Sequence, residues 1–162
     1  MAITGMNHAV LYVRDARRTA AFYREVLGFT TVIEHHDGGY AFMRAPASQN
    51  HHDIAFFSIG EQAGAPTAGS STVGLYHIAW EVPTLDDLEV MRQRLAEAGA
   101  LVGASDHGAN KSLYAKDPDG LEFEVMWLVP PELWGDEEHE AIIRPLDIEA
   151  DKRRYAHAGS RR

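Results

Sequence analysis

The sequence predicts an α+β fold built from paired βαβββ modules that form a sheet-lined cup, and three observations support this prediction. The chain has 162 residues, enough for one domain made of two small halves. Two segments, 8–13 and 77–82, are short apolar strands that begin with His8 and His77. Each is followed by one helical pattern and three strand-like runs.

Each predicted helix has its own start and stop signals. Asp15 is placed to N-cap the first helix, and Thr84 with Asp87 forms a capping-box pattern before the second. Gly28 and Gly99 follow the helical periodicity, where a left-handed C-cap is expected. The strands predicted after the helices cover residues 29–35, 40–45 and 53–59 in the first half, and 100–105, 112–116 and 121–128 in the second.

These elements define the expected domain organisation. Residues 1–130 form one domain, made of a module at 5–60, a linker at 60–72 rich in Gly, Ala, Ser and Pro, and a module at 73–128. Neither half alone buries a good core, so we expect the two sheets to associate. In the C-terminal tail, 131–162, the acidic stretch 136–140 and the basic residues 152–154, 161 and 162 are expected to be solvated.

Composition narrows the possible partners and the compartment. The formal net charge of −9 argues against a nucleic-acid partner, which needs a basic face. No apolar run is long enough to cross a bilayer, and the N-terminus lacks a signal-peptide pattern, so we expect no membrane partner. The chain has no cysteine, which excludes disulfides and thiol catalysis and fits a reducing, cytoplasmic location.

The turn sequence at 117–120, DPDG, sets the register of the last two strands. A three-residue loop with Gly120 in the left-handed position is a common hairpin geometry. That register places Tyr114 directly opposite Glu124, on the same face of the sheet. A two-residue loop would instead place the two side chains on opposite faces.

Glu124 lies inside an apolar strand and therefore needs a strong partner, either a metal ion or a buried Arg or Lys. The sequence offers no obvious Lys or Arg on a facing strand position, but it offers His8 and His77 at the heads of the repeated strands. Two imidazoles and one carboxylate form the facial triad typical of Fe(II) in oxygen chemistry. The alternative is that each histidine is simply accommodated within its strand.

Three further polar residues are candidates for the same cup. His52 begins the run HDIAFF, and His107 lies in a loop before the strand that carries Tyr114. An imidazole there could act as a general base, and a phenol could hydrogen-bond a bound oxygen.

The paired modules, with ligands on their first and last strands, resemble the vicinal-oxygen-chelate superfamily (glyoxalase, bleomycin resistance and dioxygenase proteins) over residues 5–128. Within it the chain is most similar to type I extradiol, catechol 2,3-dioxygenase-like enzymes. The resemblance is carried by the stretches NHAVLYV, LYHIAWEV, HHDIAFF, DHGANKSLY and SLYAKDPDGLEFEV. It implies His8, His77 and Glu124 as metal ligands, with His52, His107 and Tyr114 as catalytic residues.

The resemblance implies an Fe(II)-dependent extradiol dioxygenase, with Mn(II) as a possible substitute, acting on a catechol-type aromatic and O2. It also implies a homo-oligomer, a dimer or higher. One alternative is a glyoxalase-like isomerase or thiol transferase, which a fourth ligand at Asp53 or His52 would favour. The other is a metal-free protein that binds an aromatic drug between walls such as Trp80, Phe56 and Trp127.

Overall fold

The computed structural model describes residues 2–69 and 71–156, and its elements repeat in the predicted order. The first half contains β1 (Ala9–Val13), α1 (Ala16–Leu27), β2 (Thr30–Glu34), β3 (Tyr40–Arg44) and β4 (Ile54–Ser58). The second contains β5 (Ile78–Glu81), α2 (Leu85–Glu97), β6 (Leu101–Asp106), β7 (Asn110–Lys116) and β8 (Glu122–Leu128). Two 3₁₀ turns, Pro131–Leu133 and Gly135–His139, and helix α3 (Ile148–Arg154) follow.

The two halves form four-stranded sheets with equivalent topology. The strand orders are β1-β4-β3-β2 and β5-β8-β7-β6. In each sheet the first strand pairs in parallel with the last, and the remaining pairs are antiparallel. The predicted α+β class and the βαβββ repeat are therefore confirmed.

The chain divides into two compact units. One comprises Met1–Pro66 with the loop Asp117–Gly120, and the other comprises Thr67–Lys116 with Leu121–Arg162. The grouping of both modules into one domain, residues 1–130, stays a prediction.

In the first unit, the capping groups and the apolar face of α1 place the helix against its sheet. Asp15 accepts hydrogen bonds from the amides of Arg17 and Arg18, and Gly28 ends the helix at φ 77°. Because side chains alternate along a strand, one face of the sheet packs on α1. Buried residues on that side include Val13, Ala41, Met43, Ile54 and Phe56.

The second unit repeats this arrangement with different caps. The Thr84 hydroxyl donates to the Asp87 carboxylate over 2.5 Å and accepts from the Asp87 amide over 3.0 Å, which confirms the capping contacts. Gly99 adopts φ 66° just after the helix, as predicted. The fully buried Leu88 and Leu95 of α2 lie on the helix side of the sheet.

The prediction of a solvated basic tail is confirmed by the exposed side chains of Arg153 and Arg154, but the prediction that residues 152–154 are frayed is wrong. They form the last turn of α3, and Lys152 lies 2.7 Å from Asp86 and 2.6 Å from Glu89 of α2. The acidic stretch 136–140 is solvated as predicted except at Glu137, which is half-buried and pairs with Arg144 over 2.9 Å. Arg161 and Arg162 lie outside the described residues.

Within the described part of the chain, no helix combines the length and apolar character needed to cross a membrane.

Candidate functional site

The β7–β8 hairpin of the second unit has the predicted register. Tyr114 is paired with Glu124 and Lys116 with Glu122, while Gly120 has φ 83°. The Gly120 amide donates to the Asp117 carbonyl over 2.9 Å, which closes the three-residue loop. Tyr114 and Glu124 therefore share one face of the sheet, as the sequence predicted.

His77 meets Glu124 on that face. It immediately precedes β5, and Ala79 of β5 pairs in parallel with Glu124 of β8, so alternation turns His77 to the same side. Its Nε2 lies 3.1 Å from Glu124 Oε2, and the Glu124 side chain is only 8% exposed. Two of the three predicted ligands are therefore in contact.

The chemistry of this pair fits a divalent cation. Two ligand atoms about 2.1 Å from one ion, at right angles, lie about 3 Å apart, close to the observed distance. The Nδ1 atom of His77 is buried and has no hydrogen-bond partner among the described residues. Across residues 2–69 and 71–156, no Lys or Arg forms an ion pair with Glu124, so no protein cation competes with a metal for this carboxylate.

Asn110 and Ser112 of β7 lie on the same face and were missed by the sequence analysis. The Asn110 amide donates to Glu124 Oε1 over 3.4 Å and to the Ser112 hydroxyl over 2.8 Å. The signal was present, because strand alternation from Tyr114 marks residues 110 and 112 as sharing its face.

Tyr114 and His107 form a hydrogen-bonded pair beside this carboxylate. His107 Nε2 lies 2.8 Å from the Tyr114 hydroxyl, and His107 Nδ1 lies 2.7 Å from the carbonyl of Ile142. Burial, followed by the negative charge of Glu124, raises the pKa of Tyr114. The phenol therefore keeps its proton near neutral pH.

His8 and His52 meet within the first unit. Their ring centroids are 4.4 Å apart, and the His52 ring packs edge-to-face on Phe42 at 4.9 Å. Both histidines lie just before their strands, since β1 begins at Ala9 and β4 at Ile54. Burial, then the charges of His8 and His51, lowers the pKa of His52, so its imidazole is neutral and can accept a proton.

An aromatic surface extends from His52 across the sheet face that turns away from α1. Phe42 has ring contacts with Tyr40 at 5.6 Å and with Phe57 at 6.0 Å. No role for these rings is predicted from the sequence. They offer an apolar wall beside two imidazoles, a surface suited to a flat aromatic ligand.

The Asp53 carboxylate is hydrogen-bonded within the loop that precedes β4. Its carboxylate accepts from the Ala45 amide at 2.8 Å, the Ser48 hydroxyl at 2.7 Å and the Asn50 amide at 2.8 Å. Burial acts to raise the pKa of Asp53, but these hydrogen bonds outweigh it and the pKa lies below its usual value. The group stabilises a loop and has little capacity left for a metal.

Phe56 and Trp127, suggested as walls of an aromatic-drug cup, belong instead to the buried cores. Phe56 is fully buried with its ring 4.9 Å from Tyr23 of α1, and Trp127 is 8% exposed with its ring 5.3 Å from Tyr155.

The six candidate residues thus form three contacting pairs. His77 with Glu124 and His107 with Tyr114 lie in the second unit, while His8 with His52 lies in the first. No group of three or more His, Cys, Asp or Glu side chains that could hold an ion occurs within residues 2–69 and 71–156. The full ligand set of His8, His77 and Glu124 stays a prediction.

These features agree with a family match. The Glyoxalase/Bleomycin resistance protein/Dioxygenase superfamily matches residues 5–125, and the chain belongs to this superfamily. A glyoxylase/bleomycin resistance protein/dioxygenase domain from Frankia sp. EAN1pec has the same fold, with a TM-score of 0.67 and 22% identity over 86% of this chain and 100% of that one.

The curated relatives differ in activity. The chain is 28% identical to a catechol-2,3-dioxygenase of Bacillus subtilis (strain 168), over 81% of this chain and 44% of that protein. It is 32% identical to biphenyl-2,3-diol 1,2-dioxygenase 3 of Rhodococcus globerulus, over 78% and 66%. It is also 28% identical to glutathione transferase FosA of Serratia marcescens, over 76% and 80%. The chain spans two thirds or less of the length of these two dioxygenases.

Proposed function

We propose that this protein is an Fe(II)-dependent extradiol dioxygenase that opens the ring of a catechol-type aromatic with O2. The contact between His77 and Glu124, with Tyr114 on the same sheet face and the loop residue His107 hydrogen-bonded to Tyr114, is the observation that carries the proposal. His8 would complete the ligand set. The dioxygenases among its relatives support the same reaction class.

A bound Fe(II) would supply a redox-active Lewis acid that holds the substrate oxygens and dioxygen. Mn(II) could replace it, because nitrogen and oxygen ligands do not strongly discriminate between the two ions. Ring opening beside the two hydroxyls incorporates both atoms of O2 and gives a muconate semialdehyde-type product, so the overall reaction needs no external reductant.

The protein side chains would orient the substrate and move its protons. The neutral His52 imidazole is suited to take a proton from a substrate hydroxyl and return it later. Tyr114 would hydrogen-bond a substrate hydroxyl, and His107, which contacts the Tyr114 hydroxyl through Nε2 and the Ile142 carbonyl through Nδ1, would orient that phenol.

The structure weakens both alternatives. The glyoxalase-like reaction would be favoured by a fourth ligand at Asp53 or His52, and Asp53 is occupied by three loop hydrogen bonds. A metal-free drug-binding cup would need Phe56 and Trp127 on an open face, whereas both are core residues. A thiol transferase stays the competing hypothesis, because one relative is the glutathione transferase FosA.

The test is ring cleavage by protein purified anaerobically with Fe(II) and then mixed with a panel of catechols in air. We expect a yellow ring-opened product and O2 uptake equal to substrate consumed. Glu124→Gln should lower the rate at least 100-fold, because it removes the ligand charge.

Glu122→Gln is the matched control. Glu122 lies two residues away on β8 and accepts a hydrogen bond from the Tyr76 hydroxyl, so its loss should leave the rate within about threefold of wild type. Cleavage that survives Glu124→Gln would refute the ligand assignment. Glutathione transfer to an epoxide without catechol cleavage would favour the competing class.

The expected surroundings of the protein follow from the same proposal. The partners are a small aromatic substrate and O2, and we propose a cytoplasmic homo-oligomer, a dimer or higher. Sedimentation of the metal-loaded protein would test the oligomeric state directly.

A further inference from the structure

The C-terminal segment reaches the second unit's site through its backbone. Asp106 and Arg144 form an antiparallel bridge, with the Asp106 amide donating to the Arg144 carbonyl over 2.9 Å and the Arg144 amide donating back over 3.1 Å. Two residues before Arg144, the Ile142 carbonyl lies 2.7 Å from His107 Nδ1. A carbonyl oxygen can only accept, so Nδ1 must carry a hydrogen.

That contact decides how Tyr114 is oriented. A neutral imidazole carries one hydrogen, so with Nδ1 protonated its Nε2 has a free lone pair. This Nε2 lies 2.8 Å from the Tyr114 hydroxyl, which must therefore donate its hydrogen to His107. The buried Ser112 side chain also hydrogen-bonds Tyr114 in the sense that lowers the pKa of the phenol, so Ser112 donates to one lone pair and the other remains for a ligand.

Side chains hold the bridge firmly in place. Arg144 donates to Asp106 over 2.6 Å and to Glu137 over 2.9 Å. The other oxygen of Asp106 accepts from Lys111 over 2.5 Å, and Lys111 is fully buried. A Cβ placed on Gly108 would come within 3.0 Å of the Ile142 side chain, so the segment is closely packed against the loop that carries His107.

We propose that Ile142, held by Arg144, fixes His107 as the Nδ1–H tautomer and so makes Tyr114 an acceptor for a hydroxyl group of the ligand. The assignment of that ligand rests on the proposed function, because Tyr114 stands opposite Glu124. A diol can donate a hydrogen to Tyr114. A fully ionised phosphonate or a carbonyl oxygen has no hydrogen to donate, and it would face a lone pair of Tyr114 instead. The segment therefore selects a hydroxyl-bearing aromatic over an anionic phosphonate.

The tautomer is measured on metal-free protein with ¹⁵N-labelled histidine by NMR at about pH 8, above the ordinary histidine pKa. His107→Gln identifies the resonances of His107. We expect a protonated Nδ1 and an unprotonated Nε2 in the wild type. An Nε2–H tautomer there would overturn the proposal.

Variants distinguish whether the Ile142 carbonyl or the Tyr114 phenol determines the tautomer of His107. Tyr114→Phe should keep the Nδ1–H tautomer, while Arg144→Ala should give averaged shifts of two tautomers. Lys152→Ala removes tail ion pairs to α2 instead and should leave the spectrum unchanged. If Arg144→Ala fails to fold, Glu137→Gln weakens the same bridge more gently. An unchanged tautomer in folded variants of both residues would contradict the role of the bridge.

Ligand selection is measured by anaerobic titration of the Fe(II)-loaded protein with catechol and with phenylphosphonate. Tyr114→Phe should weaken catechol binding about three- to tenfold, the worth of one hydrogen bond, without weakening phenylphosphonate binding. Equal losses for both ligands would contradict the acceptor role. Catechol binding with the expected tautomer but no cleavage would refute the proposed function and leave this inference standing.

Discussion

At the scale of single residues, two carboxylates of similar chemistry have different tasks. Glu124 faces one imidazole and one amide, and no Lys or Arg neutralises it among the residues described. Asp53 accepts three hydrogen bonds from its own loop. Burying a carboxylate costs free energy unless a cation or enough hydrogen-bond donors compensate its charge. Glu124 therefore requires a cation, whereas the hydrogen bonds to Asp53 already compensate that carboxylate.

Asp53→Asn tests this division of roles. We expect the free energy of unfolding to fall by about 1–2 kcal/mol, because three half-buried donors lose an ionised acceptor. Bound iron per chain should stay at the wild-type level. Urea denaturation and metal analysis measure the two quantities.

Glu124→Gln is the counterpart of this variant. It should reduce bound iron sharply while changing stability less than Asp53→Asn does. Loss of iron in the Asp53 variant would instead make Asp53 a ligand and favour the glyoxalase-like alternative.

At the scale of elements, the β7–β8 hairpin sets the geometry of the site. Gly120 has φ 83° in the loop that fixes the pairing of Tyr114 with Glu124. An L-residue adopts this conformation only with strain.

Gly120→Ala should therefore lower the free energy of unfolding by about 1–2 kcal/mol. Gly64→Ala is the control, because a Cβ there meets nothing within 4 Å and its φ is not in the left-handed range. Thermal denaturation of both variants measures the difference. Equal destabilisation would show that the loop conformation of Gly120 carries no special cost.

The second helix offers an independent test of local stability. Thr84→Ala removes the acceptor of the Asp87 amide and should cost about 1 kcal/mol. Thr84→Ser retains the hydroxyl and should recover most of the loss in urea denaturation. A serine variant as unstable as the alanine variant would show that the methyl group, not the cap, matters.

The elements were largely predictable because their signals are local. Caps, helical periodicity and the DPDG turn predict both helices and the register of the hairpin. The role of Asp53 was not predictable, because its partners depend on the conformation of the loop before β4. The burial of Lys111 near Asp151 and the docking of Arg144 on Asp106 depend on residues 40 and 38 positions away in the chain, which no local pattern encodes.

At the scale of the whole molecule, the tail adds a buried ionic cluster to the second unit. Burial acts to raise the pKa of Asp106, but hydrogen bonds from Lys111 and Arg144 outweigh it and hold that pKa below its usual value. The pKa of an Asp in the unfolded chain is about 4, so ionised Asp106 stabilises the fold fully above that pH. This contribution is lost as the pH falls through the lower pKa of Asp106 in the folded protein. Burial raises the pKa of Asp151, so its contribution has the opposite sign.

Two variants test these signs. Asp106→Asn should cost about 3 kcal/mol at pH 7, since it leaves Lys111 without its main partner, and the loss should shrink at pH 3. Asp151→Asn should change the free energy of unfolding more favourably at pH 7 than at pH 3, because it removes a buried carboxylate whose ionised form destabilises the fold. Urea denaturation at both pH values measures the effect, and parallel pH dependence in the two variants would contradict the assignment.

The membership of the short loop Asp117–Gly120 in the first unit limits how this protein can be dissected. Asp119 supplies the carboxylate for Arg14 at 3.1 Å and for Arg18 at 2.7 Å. A gene split in the linker would therefore give an N-terminal fragment whose arginines lack their acceptor. Although the two modules repeat the same order of elements, cleavage of the chain in the linker would leave the N-terminal module without Asp119. Reassembly of the two fragments would have to bring the Asp119 carboxylate back to Arg14 and Arg18.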